Sequence, residues 1–179
     1  EKLLRTSSTV NSAVRRSPHD GKPRLRILIG ADTFWPQING AATFIARLAA
    51  GLAERGHDVH IIAPSYTNKK LGQMVEEHEG QKMTVHRIYS WRWLGHPWLR
   101  FLLPWSIRRN SAIVLDRVTP DVIHFQSHLV IGRGMTIEGA KRNIRLVGTN
   151  HFMPENLLDH AHFIPRFLRN EVSKLAWAA

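Results

Sequence analysis

The chain has 179 residues, enough for one domain with its own core, and no cysteine. That excludes a disulfide framework and a thiolate metal site, and it fits a reducing, cytoplasmic compartment. No apolar run approaches a membrane span and the first 22 residues lack the hydrophobic stretch of a secretory signal. The formal net charge of +11 attracts anions, and it is concentrated: no acidic residue lies between Glu79 and Asp116, where Lys82, Arg87, Arg92, Arg100, Arg108 and Arg109 stand.

In chain order, residues 1–22 are rich in Ser and Arg and are expected to be a disordered basic lead-in to a domain over residues 23–179. Leu25–Gly30 is an apolar run after Pro23, fit for a strand buried on both faces. A polar loop, Ala31 to Gly40, leads into a helix with Ile45, Leu48, Ala49 and Leu52 on one face, stopped by Arg55-Gly56. His57–Ala63 reads as a second strand ended by Pro64, which completes a right-handed βαβ unit. Residues 65–80 are expected to be loop with a short helix, and Met83–Ile88 a strand. Trp105–Val118 is expected to be helical, Val122–Phe125 a strand, Val130–Arg142 a helix and Ile144–Thr149 a strand. A helical turn over Pro154–His160 and a helix from Pro165 follow. The last residues read as a helix cut short, so the chain is expected to be a piece of a longer protein. The alternation predicts an α/β fold: a Rossmann-like, open, mostly parallel sheet with helices on both faces.

Ligands of such sheets sit beyond the carboxyl ends of the strands. That rule selects Asp32–Gly40, then Gln126-Ser127-His128, then Asn150 to Asn156. Polar residues gather in all three, as at a wet cleft. The helix that opens at Gly40 offers free N–H groups and a positive dipole end, a place to hold a phosphate or a sugar, and Gly40 lets a ligand approach the backbone. The loop is not a dinucleotide fingerprint, because a single glycine sits at the turn. His124 lies inside a strand run and reads as a hydrogen-bonded core histidine. His128 and His151 lie just past strand ends and read as functional. Glu155, after Pro154, suits either a ligand or the helix dipole. No cysteine or placed carboxylate completes a zinc set with His124 and His128.

These segments together resemble a known family. Phe34-Trp35-Pro36-Gln37-Ile38-Asn39-Gly40 and the helix ending Ala53-Glu54-Arg55-Gly56-His57-Asp58-Val59 resemble the opening of the family-4 retaining glycosyltransferases. Pro120-Asp121-Val122-Ile123-His124-Phe125-Gln126-Ser127-His128 resembles their PD-V-H strand, and Gly148-Thr149-Asn150-His151 with Pro154-Glu155-Asn156 resembles the segment that follows it. The resemblance implies the N-terminal, acceptor-side domain of a GT-B fold. The donor-binding domain, with its Glu-x7-Glu pattern, is absent from this sequence, and the isolated chain is expected to be inactive without it. The implied reaction is retaining transfer of a hexosyl or mannosyl group from a nucleotide-sugar to a lipid or glycan hydroxyl, with the departing diphosphate helping to deprotonate the acceptor. It needs no metal, and the nucleotide-sugar is a substrate rather than a cofactor. On this reading His128 and His151 are candidate catalytic residues, and Asp32, Asn39, Gly40, Gln126 and Glu155 are candidate substrate-binding residues. In many members the strand reads His-x-His; Gln126 holds the second position here, which leaves open whether His128 takes over the role.

The stretch from Trp91 to Trp105 holds four of the six tryptophans among basic residues. Such rings suit headgroup level, and each nearby basic residue adds about 1 kcal/mol on an anionic surface. Trp91, Trp93, Trp98 and Arg100 are the expected membrane contacts, on a peripheral protein at the inner face of the plasma membrane; packing under a long loop is the alternative. A non-catalytic sugar- or lipid-binding module is a second reading. A nucleic-acid module is a third, and nucleic acid is not an expected partner, because no helix-turn-helix, zinc or RNA-recognition pattern accompanies the charge.

Overall fold

The structure, a computed structural model, describes residues 23–67, 69, 72–92 and 100–151. The βαβ unit forms as expected. Strand β1 (Arg26–Gly30) feeds helix α1 (Gly40–Glu54), which returns to strand β2 (Asp58–Pro64) parallel to β1. Strands β3 (Gly72–His78) and β4 (Gln81–Ile88) make a hairpin, and a two-stranded ribbon follows from β5 (Trp91–Arg92) and β6 (Arg100–Phe101). Helix α2 (Pro104–Val118), strand β7 (Val122–Phe125), helix α3 (Val130–Lys141) and strand β8 (Arg145–Gly148) complete the described chain.

The main sheet has six strands in the order β3-β4-β2-β1-β7-β8, and every neighbouring pair is parallel except β3 with β4. Both faces of β1 are covered, which is why its sequence is a continuous apolar run. Ile27 and Ile29 pack with Ile45 and Ala49 of α1, while Leu28 packs on the other side with Leu115, Ile123 and Ile131. Arg26 ties the opposite, N-terminal end of the sheet: it donates to Asp58 Oδ2 at 2.9 Å, to Val118 O at 2.8 Å and to Thr119 Oγ1 at 3.0 Å.

The expectation of loop and short helix over residues 65–80 is corrected here, because β3 is a strand in antiparallel register with β4. Its alternation is real but chemically disguised. Gly72, Met74, Glu76 and His78 are half-buried while their neighbours are exposed, so two of the four inward positions are polar. Glu76 occupies one because Arg87 meets it with two bonds, 2.7 and 2.6 Å. The turn Glu79-Gly80 takes positive φ at both residues, 50° and 75°, as a tight hairpin requires. The lead-in over residues 1–22 and the helices expected after residue 151 lie outside the described residues.

Candidate functional site

β1 lies between β2 and β7, and the chain leaves it on one side through α1 and comes back on the other through β7. This reversal opens a crevice beyond the strand ends, where α/β proteins hold ligands. Three loops meet there through named contacts. Asp32, after β1, accepts a 2.6 Å bond from Ser127 Oγ, after β7. Gln126 Oε1, after β7, lies 3.0 Å from His151 Nε2, after β8. The His151 ring stands edge-on to Phe44 of α1, with centroids 4.7 Å apart. Described residues of all three segments selected from the sequence, Asp32, Gln126 with Ser127, and His151, are therefore linked along one edge.

Asp32 is more than a loop residue. Helix α3 starts at Leu129 with no side-chain cap of its own, and the Asp32 carboxylate fills that place from across the sheet. It accepts from Ile131 N–H at 2.7 Å and, more distantly, from Gly132 N–H at 3.5 Å. Burial raises its pKa above the ordinary carboxylate value, although Ser127, the two backbone donors and the nearby His128 all pull it down. Gly132 makes the close approach possible, since a Cβ there would sit 1.7 Å from Ser127 O. His128 lies two residues before α3 begins, near enough to the Asp32 carboxylate to act on it electrostatically.

Asn39 caps α1 in the same way. Its Oδ1 accepts from Ala42 N–H at 2.8 Å and its Nδ2 donates to Thr33 Oγ1 at 2.8 Å. Thr33 in turn donates to Gln37 Oε1 at 2.7 Å, so the loop is braced from within. Gly40 is the first helical residue, and nothing in the described chain lies within 4 Å of where its Cβ would be.

His124 is hydrogen-bonded, as read from the sequence, but half-buried rather than in the core: its Nε2 shares a 2.9 Å bond with Thr149 Oγ1. Burial first, then the neighbouring His151, lower its pKa. Gln126 is only 2% exposed, and among the described residues its Nε2 has no hydrogen-bond partner. Phe44 and Thr149 were not singled out from the sequence. Phe44 reads there as one more apolar helix residue, and only its 42% exposure marks it as a wall of the site. The signal for Asp32 as a cap was available: α3 begins without Ser, Thr, Asp or Asn at its start.

Of the expected membrane contacts, Trp91 is 55% exposed and stands edge-on to Tyr89. Arg100 is half-buried: its guanidinium donates to Ser90 O at 2.9 Å, to Ser90 Oγ at 3.2 Å and to Thr67 O. Trp93, Trp98 and Glu155 lie outside the described residues. Among the described residues no helix is long and apolar enough to cross a membrane, and no group of His, Asp and Glu is arranged to hold a metal ion.

Residues 38–179 match the model of Glycosyltransferase Family 4. The chain belongs to glycosyltransferase family 4. Its sequence is 29% identical over 155 residues to a GDP-mannose-dependent alpha-mannosyltransferase of Mycolicibacterium smegmatis, covering 86% of this chain and 38% of that protein. It is 26% identical over 156 residues to an alpha-monoglucosyldiacylglycerol synthase of Acholeplasma laidlawii, covering 85% of this chain and 36% of that protein. The family-4 chain thus spans little more than a third of these relatives. Among solved structures, sucrose-phosphate synthase from Thermosynechococcus elongatus shares its fold, with a TM-score of 0.55 at 14% identity over 85% of this chain and 40% of that one.

Proposed function

We propose that this family-4 domain is the acceptor side of a retaining glycosyltransferase that moves a hexosyl group, of the mannosyl type, from a nucleotide-sugar to a lipid or glycan hydroxyl. The observation that carries the proposal is the convergence of three strand-end loops on one edge through Asp32–Ser127, Gln126–His151 and Phe44–His151. One relative's name specifies GDP-mannose as donor and the other's a glucosylated diacylglycerol. In this reading Gly40 and Ala41 open α1 with N–H groups that the helix itself cannot satisfy, and these face the incoming oxygens. His128 and His151 border the reacting sugar, and Asp32 is a positioning residue that fixes the loop carrying His128. The bond between the anomeric carbon and the diphosphate breaks, the acceptor oxygen bonds that carbon on the same face, and its proton passes to the departing diphosphate.

The exposed aromatics Tyr66, Trp91 and Trp105 stand at the same end of the sheet as the site. They support a peripheral, cytoplasmic-face position beside a membrane that holds a lipid acceptor.

The test is a screen of donors and acceptors on the full-length protein, read by mass spectrometry, with His128→Ala and His151→Ala beside wild type. Each variant is expected to lose at least about tenfold in turnover, some 1.4 kcal/mol of transition-state stabilisation. Wild-type kinetics in both variants, or no transfer from any nucleotide-sugar, would refute the proposal.

A further inference from the structure

A second concavity lies beside the site, on the α1 face of the sheet. It is bounded by the β1–α1 loop, the first half of α1 and the β3–β4 hairpin, and it encloses about 320 Å³. That volume is at the small end of ligand pockets, which run from about 300 to 1,000 Å³. The candidate edge does not use it.

Its walls divide by chemistry. Trp35 forms one side and is 51% exposed, with Ile38 beside it at 82%. Methyl groups of Ala42 and Ala46 lie along the helix, and the Thr43 hydroxyl stands at the mouth. His78 and Glu79 form the far wall. That wall is rigid: Glu76 is pinned by Arg87, and His78 Nε2 is 3.0 Å from Glu76 Oε2 while its ring packs edge-on against Phe34 at 4.9 Å. Glu79 is kept in place by Arg47 at 3.8 Å.

A half-exposed indole with small apolar residues, beside the Thr43 hydroxyl, the Gln37 amide and the carboxylates of Glu77 and Glu79, matches a pyranose ring. One face of such a ring presents C–H groups to an aromatic surface, while its rim presents hydroxyls that both donate and accept. The Glu79 carboxylate accepts hydroxyl donors and repels phosphate. We propose that this concavity is a subsite for a neutral hexopyranose ring, occupied by the part of a glycan acceptor that lies beyond the reacting sugar. Trp35 and Ile38 belong to the same braced loop as Thr33, Gln37 and Asn39, so an acceptor can run along that loop from the subsite to the strand ends. As an acceptor subsite it rests on the glycosyltransferase reading; as a sugar-binding pocket it does not.

Two measurements separate these. The full-length protein is labelled with 5-fluorotryptophan, and the Trp35 resonance is assigned by its loss in Trp35→Phe. Titration with methyl α-D-mannopyranoside is expected to shift that resonance saturably, with a Kd of order 1 mM. Thr43→Tyr, which blocks the mouth from an exposed helix position, is expected to abolish the shift, and mannose 6-phosphate to produce a weaker one. No saturable shift, an equal or larger response to the phosphate, or a shift that survives Thr43→Tyr would overturn the pocket. In transfer assays, a longer glycan acceptor is expected to show at least a fivefold lower KM than its single-ring counterpart, and Trp35→Ala to erase that difference with kcat unchanged. A KM difference that persists in Trp35→Ala overturns the subsite while leaving the transferase reading intact. Absence of any transfer overturns the transferase reading, and with it the acceptor role, while the titration still decides whether the pocket binds a sugar.

Discussion

Replacing Gln126 with leucine separates the stability of the fold from the work of the site. The side chain is 2% exposed and its amide nitrogen has no partner among the described residues. A buried donor left unsatisfied costs about 1–3 kcal/mol, and leucine removes it at similar volume. The substitution also removes the 3.0 Å contact to His151, worth about 0.5–1.5 kcal/mol. His151 is exposed, so water takes over that bond and the loss falls at the low end. The net expectation is stabilisation by about 1 kcal/mol, a rise in Tm of about 2–4 °C for a domain of this size. Turnover of the full-length enzyme is expected to fall at least about tenfold, because a polar group is retained there against the interest of the core. Thermal melts and steady-state kinetics on the same preparations measure both. Destabilisation by more than about 1 kcal/mol would refute the stability reasoning, and unchanged turnover would remove Gln126 from the site.

Other perturbations test other parts of the account. Asp32→Ala uncaps α3 and breaks the tie to Ser127, so it is expected to cost about 2–3 kcal/mol in urea unfolding; a cost below about 0.5 kcal/mol would show that the carboxylate is not structural. Gly40→Val meets nothing in the described chain, so it should move Tm little yet impair transfer, whereas Gly51→Ala, crowded only by the flexible Arg55 side chain at 3.3 Å, should gain about 0.5–1 kcal/mol in the helix and leave transfer alone. Equal effects of the two on transfer would contradict the close-approach role of Gly40. Stability is also expected to fall in two steps below neutral pH. Burial, then His60 and Arg117, push His86 down to about 4; its folded state resists protonation, so its contribution is complete above pH 6.5 and is lost as pH falls toward 4. Burial would raise Glu76, but His78 and Arg87 outweigh it and hold it at about 2; its contribution is complete above pH 4.5 and disappears as pH falls toward 2. Each step amounts to at most about 3 kcal/mol, and His86→Gln should shrink the upper one, to which the lowered His60 and His124 also contribute; a flat stability profile from pH 6.5 to 4 in wild type would contradict it.

The parallel strands were legible because burial on both faces writes itself as short apolar runs, as in Ile27–Gly30 after Arg26, and because Arg55-Gly56 punctuates α1 plainly. Strand β3 was not, because Glu76 and His78 stand where an apolar alternation would be sought, and their partner Arg87 lies eleven residues away. The charge reading was correct in sum and misleading in place. Of the six cations between Glu79 and Asp116, Arg87 is buried against Glu76, Arg108 reaches Glu138 at 3.3 Å and Arg100 serves the backbone of residues 67 and 90. Net charge carries no information about such pairing, so the run is a less open cationic face than the composition implies. The site was legible at the level of loops, through the strand-end rule. The cap duty of Asn39 is local, to Ala42 N–H three residues on, whereas that of Asp32 rests on contacts about a hundred residues apart and is signalled in the sequence only by the missing cap of α3.

The claim on which the account depends is that the ends of β1, β7 and β8 serve one acceptor. Histidine-selective nitrogen NMR of the full-length protein, titrated with the acceptor identified by mass spectrometry, tests it most directly. His128 and His151 are expected to shift together along one binding curve, while His60 and His86, paired 3.2 Å apart on β2 and β4, stay unmoved. Separate curves for His128 and His151, or a response at neither, would contradict it.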